Sequence, residues 1–408
     1  MRAQRVITVP RTGSRRSPRR RVLRRTLAVV LLMALVVLSL MGLSLAQSLS
    51  SPSTDDTATR IAEWARDHGL GPLVTAAELA QATLHPAVEG GAPDPTLLAS
   101  LSSPASPAIA AAGGASTTVP ASLTPSSVDS IPIHAPLTPP ALPAIPHEGR
   151  FVSTNPGTNV VQYTYVRPDA VHTSYLATVM VIDHSARLVL HPGTQEPGGA
   201  HTWSVPSRIT PREETGLLAT FNGGFKLADA QGGYADHGTI AGHLVDGAAS
   251  LVIGTDGHAR IGTWGSDVSM TPDVAYVRQN LRPLISNGVV ATDLNHKVQS
   301  SWGTTVGGGV AVWRSGLGQT ANGDLVYVAG DALTVQSLAD LLARAGAVNA
   351  MQLDINPSWV SVMSYSGTAP HLVAHRLGTF SRPASRYLQT STRDFVAVYG
   401  PGTSAGPA

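Results

Sequence analysis

Apolar and polar positions follow three regimes along this chain. From Leu27 to Ala46 the sequence is almost unbroken apolar and carries no charge. About 20 such residues span a bilayer core as a helix. Between Leu101 and Pro146 any periodicity lapses: ten prolines stand among alanines and serines, and no charge occurs before Asp129. That composition cannot build a packed core and reads as a semi-extended linker. From about Arg150 short Val/Ile/Leu/Tyr runs alternate with Gly/Asp/Asn/Pro turns. Residues 160–166, 176–182, 217–221, 251–253 and 325–328 read as strands, and 254–258 as the hairpin turn leading into 260–261. One helix is well signalled. Thr334 can cap it, Val335, Leu338, Leu341, Leu342 and Ala345 form one stripe, and Gly346 stands where a C′ glycine belongs. Residues 348–353 follow as a strand. The expected fold class is α+β: a strand-rich mixed-sheet domain with a few helices, preceded by a transmembrane helix and a Pro/Ala/Ser-rich linker.

The implied organisation is a basic cytoplasmic tail (1–25), an anchor or signal peptide (26–46), a short partly helical segment (47–100), the linker (101–149), the main domain (150–400) and a disordered tail (401–408). Within the third part, residues 60–81 carry Ile61, Trp64, Ala65 and Leu70 on one apolar side.

Charge locates the chain. Its first 25 residues hold ten arginines and no acidic residue, so that end stays cytoplasmic and everything beyond Ala46 lies outside. Ser44-Leu45-Ala46 also fits a signal-peptidase site, which would make the product secreted. Removing the ten arginines leaves 18 basic against 26 acidic residues, a net of −8. A nucleic-acid partner therefore has no electrostatic support. Cysteine is absent, which removes disulfides, thiolate metal sites and thiol nucleophiles. Histidines are scattered without HExxH spacing, so no zinc is expected.

Two loops carry candidate chemistry. Phe221-Asn222-Gly223-Gly224-Phe225-Lys226 ends one apolar strand, and Leu353-Asp354-Ile355-Asn356-Pro357-Ser358-Trp359 ends another. Each sets a polar side chain, Asn222 or Asp354, where a rigid strand gives way to a loop. Only two lysines occur in the chain, Lys226 and Lys297, so a lysine beside two glycines stands out.

These segments resemble the phosphodiester glycosidase family, whose best-known relative removes N-acetylglucosamine from phosphodiester-capped mannose. The resemblance is carried by residues 219–225 (ATFNGGF), 237–246 (HGTIAGHLVD), 324–331 (DLVYVAGD) and 333–354 (LTVQSLADLLARAGAVNAMQLD). It covers about 160–398. It implies an exported hydrolase that cleaves a sugar-1-phosphodiester in a cell-envelope glycopolymer or glycoconjugate. In such a reaction negative charge on phosphate and positive charge on the sugar ring need stabilising. The resemblance thus implies Asp354 as the main carboxylate, Asn222 and Lys226 as catalytic partners, and the Gly223 and Gly224 amides as phosphate holders. Asn356 would orient substrate or water. Trp302 and Trp359 would offer sugar-stacking faces, with Thr304 beside them, and His237 an acid–base group. Mg²⁺ or Ca²⁺ held by Asp354 and loop carbonyls fits the chemistry, without spacing to support it.

The chain departs from the family pattern at two places. The family follows Leu-Asp with a Gly-Gly-Gly-Ser-Ser type loop, where this chain has Ile355-Asn356-Pro357-Ser358-Trp359. The family's Arg-Thr is replaced by Trp302-Gly303-Thr304-Thr305. These departures motivate a second reading, a non-catalytic wall-glycopolymer binding module, and a third, a structural envelope protein.

Overall fold

The computed structural model describes residues 18–50, 55–71, 73–74, 76–77, 86–95, 98 and 131–403, apart from 156, 200, 295–298 and 304–310. Strands dominate and form three sheets. The largest has eight strands, with Val161–Val166, Ala177–Ile182, Leu325–Leu333, Val312–Thr320 and Ala347–Gln352 adjacent in that order and two-residue strands at its edges. A five-stranded sheet packs on it in the order Val373–Arg376, Val362–Ser366, Leu217–Asn222, Phe395–Tyr399, Arg187–His191. A second five-stranded sheet has Val274–Gln279 at its centre.

The α+β class is as the sequence implies, but the sheets are not mixed. Every ladder between strands is antiparallel, and the only parallel contacts among the described residues are the isolated bridges Gly193–Pro197 and Trp264–Val268. One crossover is hidden in this arrangement. Leu325–Leu333 and Ala347–Gln352 both pair antiparallel with Val312–Thr320, so they run parallel to each other, one strand apart. Parallel strands need a crossover, and the helix Val335–Arg344 supplies it.

That helix closes one face of the large sheet. Leu338, Leu341 and Leu342 are buried against Val326, Val328 and Val179. Gly316 makes the approach possible, since a Cβ there would stand 3.1–3.2 Å from the Leu338 and Leu342 methyls. A capping box fixes the start of the helix: the Ser337 amide donates to Thr334 Oγ1, and the Thr334 amide to Ser337 Oγ, each at 2.8 Å. On the other face of the sheet Met180, Tyr327, Leu317 and Met351 meet Phe221, Ala219 and Val396 of the first five-stranded sheet. The layers are thus helix, sheet, sheet, and the site lies where strand ends of the two sheets meet.

Residues 131–149, at the end of the expected linker, lie against the domain. Glu148 and Arg167 form a buried pair at 2.8 Å, and Arg167 also donates to the Ala141 and Pro143 carbonyls. Near the N-terminus, the stretch Arg25–Ser50 is long and apolar enough to cross a membrane and is not buried by the rest of the chain. A second helix, Thr57–Ala65, starts at the Asp56 cap and runs into a wider, π-helical turn at Arg66–Leu70. Residues 55–70 form a strap. One side of the strap grips the end of the membrane-length helix, with Trp64 Nε1 donating to Ser44 Oγ at 3.1 Å. The other side covers the site described next.

Candidate active site

Two signature loops 130 residues apart are joined by one side chain that the sequence did not single out. Asn280, just past the Val274–Gln279 strand, donates to the carbonyls of Gln352 and Leu353 at 2.8 and 3.0 Å. Its Oδ1 accepts the Phe225 amide at 3.0 Å. Ser315, mid-strand in Val312–Thr320, makes a second junction. Its Oγ accepts from Asn222 Nδ2 at 3.0 Å and from the Asp354 amide at 3.1 Å.

Asn222 is fully engaged within the protein. Its Oδ1 accepts from Tyr327 Oη at 2.7 Å and from the Ser361 amide at 3.2 Å, while Nδ2 donates to Ser315 and to the Gly223 carbonyl. Register explains Gly223: Phe395 lies opposite Asn222, which sets Asp394 against the next residue. A Cβ on Gly223 would stand 2.1 Å from Asp394 Oδ2, and one on Gly224 2.8 Å from Asn280 Oδ1. The Gly223 amide donates to the Asp394 carbonyl at 3.0 Å. The glycines therefore admit Asp394 and Asn280 to the loop, and this Gly223 amide faces the protein rather than a ligand.

Asp394 pairs with Arg278 at 2.8 Å, both buried. Arg278 also donates to the Phe225 and Gln279 carbonyls, which gives the buried guanidinium partners beyond the ion pair.

Asp354 is 3% exposed. Its Oδ1 accepts the amides of Ile355 and Asn356 at 2.7 and 2.9 Å, and its Oδ2 faces Arg393 Nη2 at 3.6 Å. Burial pushes the carboxyl up to about 6, against the pull of Arg393 and the two amides. Asn356 builds the turn, accepting the Ser358 amide on Oδ1 at 2.8 Å and the Trp359 and Val360 amides on its carbonyl. A second carboxylate, Glu196, accepts the Leu227 amide at 2.5 Å. Burial raises it above its ordinary range, with Arg393, Asp394 and Arg278 close enough to bear on it.

Trp359 is buried under three guanidinium groups: Arg382, Arg386 and Arg393 stand 5.0, 5.4 and 5.0 Å from its ring centre. Arg382 Nε and Arg386 Nη1 both donate to the Ser358 carbonyl. Lys226 completes the basic cluster.

The strap lies across this cluster. Glu63 Oε2 is 2.6 Å from Lys226 Nζ and 3.9 Å from Arg393 Nη1, and Asp67 is 3.1 Å from Lys226. Asp55 is 3.1 Å from Arg382 and accepts from Thr392 Oγ1 at 2.6 Å. Thr59 and Ser358 hydroxyls meet at 3.1 Å.

Of the residues expected from sequence, Asp354, Asn222, Gly223, Gly224, Lys226, Asn356 and Trp359 come together here. Trp302 does not join Trp359 as a second stacking face. It is 1% exposed, packs with Leu284 and Leu294, and donates Nε1 to the Asp293 carbonyl. His237 sits in the turn between Tyr234–Asp236 and Thr239–Ala241, held by Asp236 at 2.7 Å and edge-on to Tyr276. Thr304 lies outside the described residues. Sequence reasoning missed Arg278, Asn280, Arg382, Arg386, Arg393, Asp394 and Glu196. The signal available for two of them was a charge pair, Arg393-Asp394, directly ahead of the apolar run 395–399.

Residues 215–355 match the model of the phosphodiester glycosidase family. The match stops at the loop where the family pattern is lost. No curated protein matches this chain. Among solved structures, the catalytic domain of zebrafish N-acetylglucosamine-1-phosphodiester alpha-N-acetylglucosaminidase, auto-inhibited by pro-peptide, overlaps at 15% identity and a TM-score of 0.39. That overlap covers 62% of this chain and 87% of the other. A hypothetical protein from Synechocystis overlaps at 12% identity and a TM-score of 0.37, covering 62% and 63%.

Proposed function

We propose, from the family match over residues 215–355, that this domain hydrolyses a sugar-1-phosphodiester. The observation that carries the reading is a buried carboxylate, Asp354, raised to about 6 beside a cluster of four cations. Water adds to the anomeric carbon, the bond from that carbon to the bridging oxygen breaks, and the phosphomonoester leaves with the electron pair. Phosphate is a good leaving group, so the main demand is charge stabilisation. Asp354, ionised above pH 6, stabilises the developing positive charge on the ring or takes the proton of the attacking water. Lys226 and Arg393 take the phosphate charge. Asn222 acts as a positioning residue, because its own hydrogen-bonding groups are spent on Tyr327, Ser361, Ser315 and Gly223.

The Asp354 carboxylate is not free to hold a divalent metal, since one oxygen accepts two amides and the other faces Arg393. On that ground the proposed reaction runs without a metal. Turnover requires the strap to lift, since Glu63 stands on Lys226 where a phosphate oxygen would. The substrate belongs to the cell envelope, on the side of the membrane opposite the arginine-rich tail, with the 25–50 helix as anchor or signal.

The test uses the full-length chain and a panel of sugar-1-phosphodiesters. Free sugar and phosphomonoester are expected in equal amounts, at the same rate with and without EDTA. Loss of turnover in EDTA overturns the metal-independent mechanism. The binding-module reading draws on the loop in which Pro357 removes a backbone donor and Trp359 is covered by arginines. It predicts binding to wall polymer with no sugar released.

A further inference from the structure

We propose that the cluster contains two anion subsites, and that the substrate carries a second phosphate beside the scissile one. This rests on the reading above for the first subsite, Lys226 with Arg393. The second is built by Arg382, Thr392 and Arg386, and nothing in the proposed chemistry uses it.

Three observations carry the inference. First, the second subsite already holds an oxyanion. Asp55 is 5% exposed at its side chain, lies 3.1 Å from Arg382 and accepts from Thr392 Oγ1 at 2.6 Å. A carboxylate is not buried without such partners, so the pocket is shaped for two oxygens of an anion. Second, it is a built site. Arg382 and Arg386 are 2% and 1% exposed, share the Trp359 face and are fixed by the Ser358 carbonyl. Third, the charges do not balance on a single phosphodiester. Among the described residues, the domain carboxylates beside this cluster are Asp354 and Glu196, both near Arg393, while Asp394 pairs with Arg278. A lone phosphodiester carries one negative charge, whereas the strap brings Asp55, Asp56, Glu63 and Asp67 to the same surface.

Trp359 links the two subsites, with Arg393 of the first and Arg382 of the second each 5.0 Å from its ring centre. The two guanidinium carbons therefore lie no more than about 10 Å apart, roughly the span of three extended residues. That spacing admits an anhydride-linked diphosphate or successive phosphates of a short repeat.

The experiment uses the full-length protein with the strap neutralised by Asp55→Asn and Glu63→Gln. Calorimetry measures its affinity for inorganic phosphate, inorganic pyrophosphate and propane-1,3-bisphosphate. At least one two-phosphate probe is expected to bind about tenfold or more tightly than phosphate. Pyrophosphate leading marks an anhydride, and the bisphosphate leading marks a repeat. Adding Thr392→Val, or separately Arg382→Gln, is expected to erase that advantage while leaving phosphate affinity unchanged. Thr392→Val removes only a hydroxyl, so it remains informative if Arg382→Gln disturbs the fold. Equal affinity for all three probes, equal losses for phosphate and two-phosphate probes, or no binding at all would overturn the proposal. Failure of the glycosidase reading alone would appear differently, as the two-phosphate advantage without release of sugar.

Discussion

Asp354→Asn is expected to cost turnover about 10²–10⁴-fold, the range for losing a positioned acid–base group, while making the folded protein more stable at neutral pH. The two effects share one cause. The folded carboxyl sits at about 6 against an ordinary value of 3.8, so between those values the folded state binds more protons than the unfolded one. Stability therefore falls as pH rises from about 4 to 6, and the cost is complete above that window. A shift of that size corresponds to at most about 3 kcal/mol. Asparagine carries no charge to bury, and its Oδ1 can still accept the Ile355 and Asn356 amides. Thermal unfolding of wild type and variant should thus differ at pH 7.5 and converge near pH 4. A variant that is less stable at pH 7.5 would mean that Asp354 serves the fold through Arg393. Wild-type kcat should rise with pH through about 6, as the carboxylate forms.

Neutralising the strap should act in the opposite direction. In Glu63→Gln/Asp67→Asn the lysine loses both carboxylate partners, and the closed arrangement loses the pair that stands in the phosphate position. A strap that competes with substrate lowers apparent affinity by the fraction of molecules that are open. The double variant is expected to raise kcat/KM about tenfold or more, chiefly through KM, with kcat nearly unchanged. A fall in kcat/KM would show instead that Glu63 helps to bind substrate. Asp354→Asn introduced into the double variant should remain inactive, which separates access to the site from its chemistry.

Much of the architecture was legible because it is written locally. The helix Val335–Arg344 has its cap, stripe and terminal glycine within a dozen residues. The hairpin at 254–258 is set by its own turn residues. The two loops were visible as polar side chains at the ends of apolar strands. What joins them was not, because it depends on strand order. Asn280 reaches Leu353 only because the Val274–Gln279 strand ends beside the large sheet, and Asp394 meets Gly223 only through the register of Phe395 with Asn222. Arg382, Arg386 and Arg393 are unremarkable in sequence and become a site by converging on Trp359. Lys226 was recognised as unusual, but its partners Glu63 and Asp67 lie some 160 residues away. The antiparallel pairing was missed for the same reason, since local pattern does not specify the direction of a neighbour.

The most direct measurement of the central claim is turnover of a sugar-1-phosphodiester in ¹⁸O-labelled water, with the products separated by mass. The proposed reaction puts the label on the anomeric carbon of the released sugar and none in the phosphomonoester, and Asp354→Asn slows the appearance of both products by about 10²–10⁴-fold. Label in the phosphomonoester would mean attack at phosphorus, and would contradict the assignment of Asp354 to the sugar side of the bond.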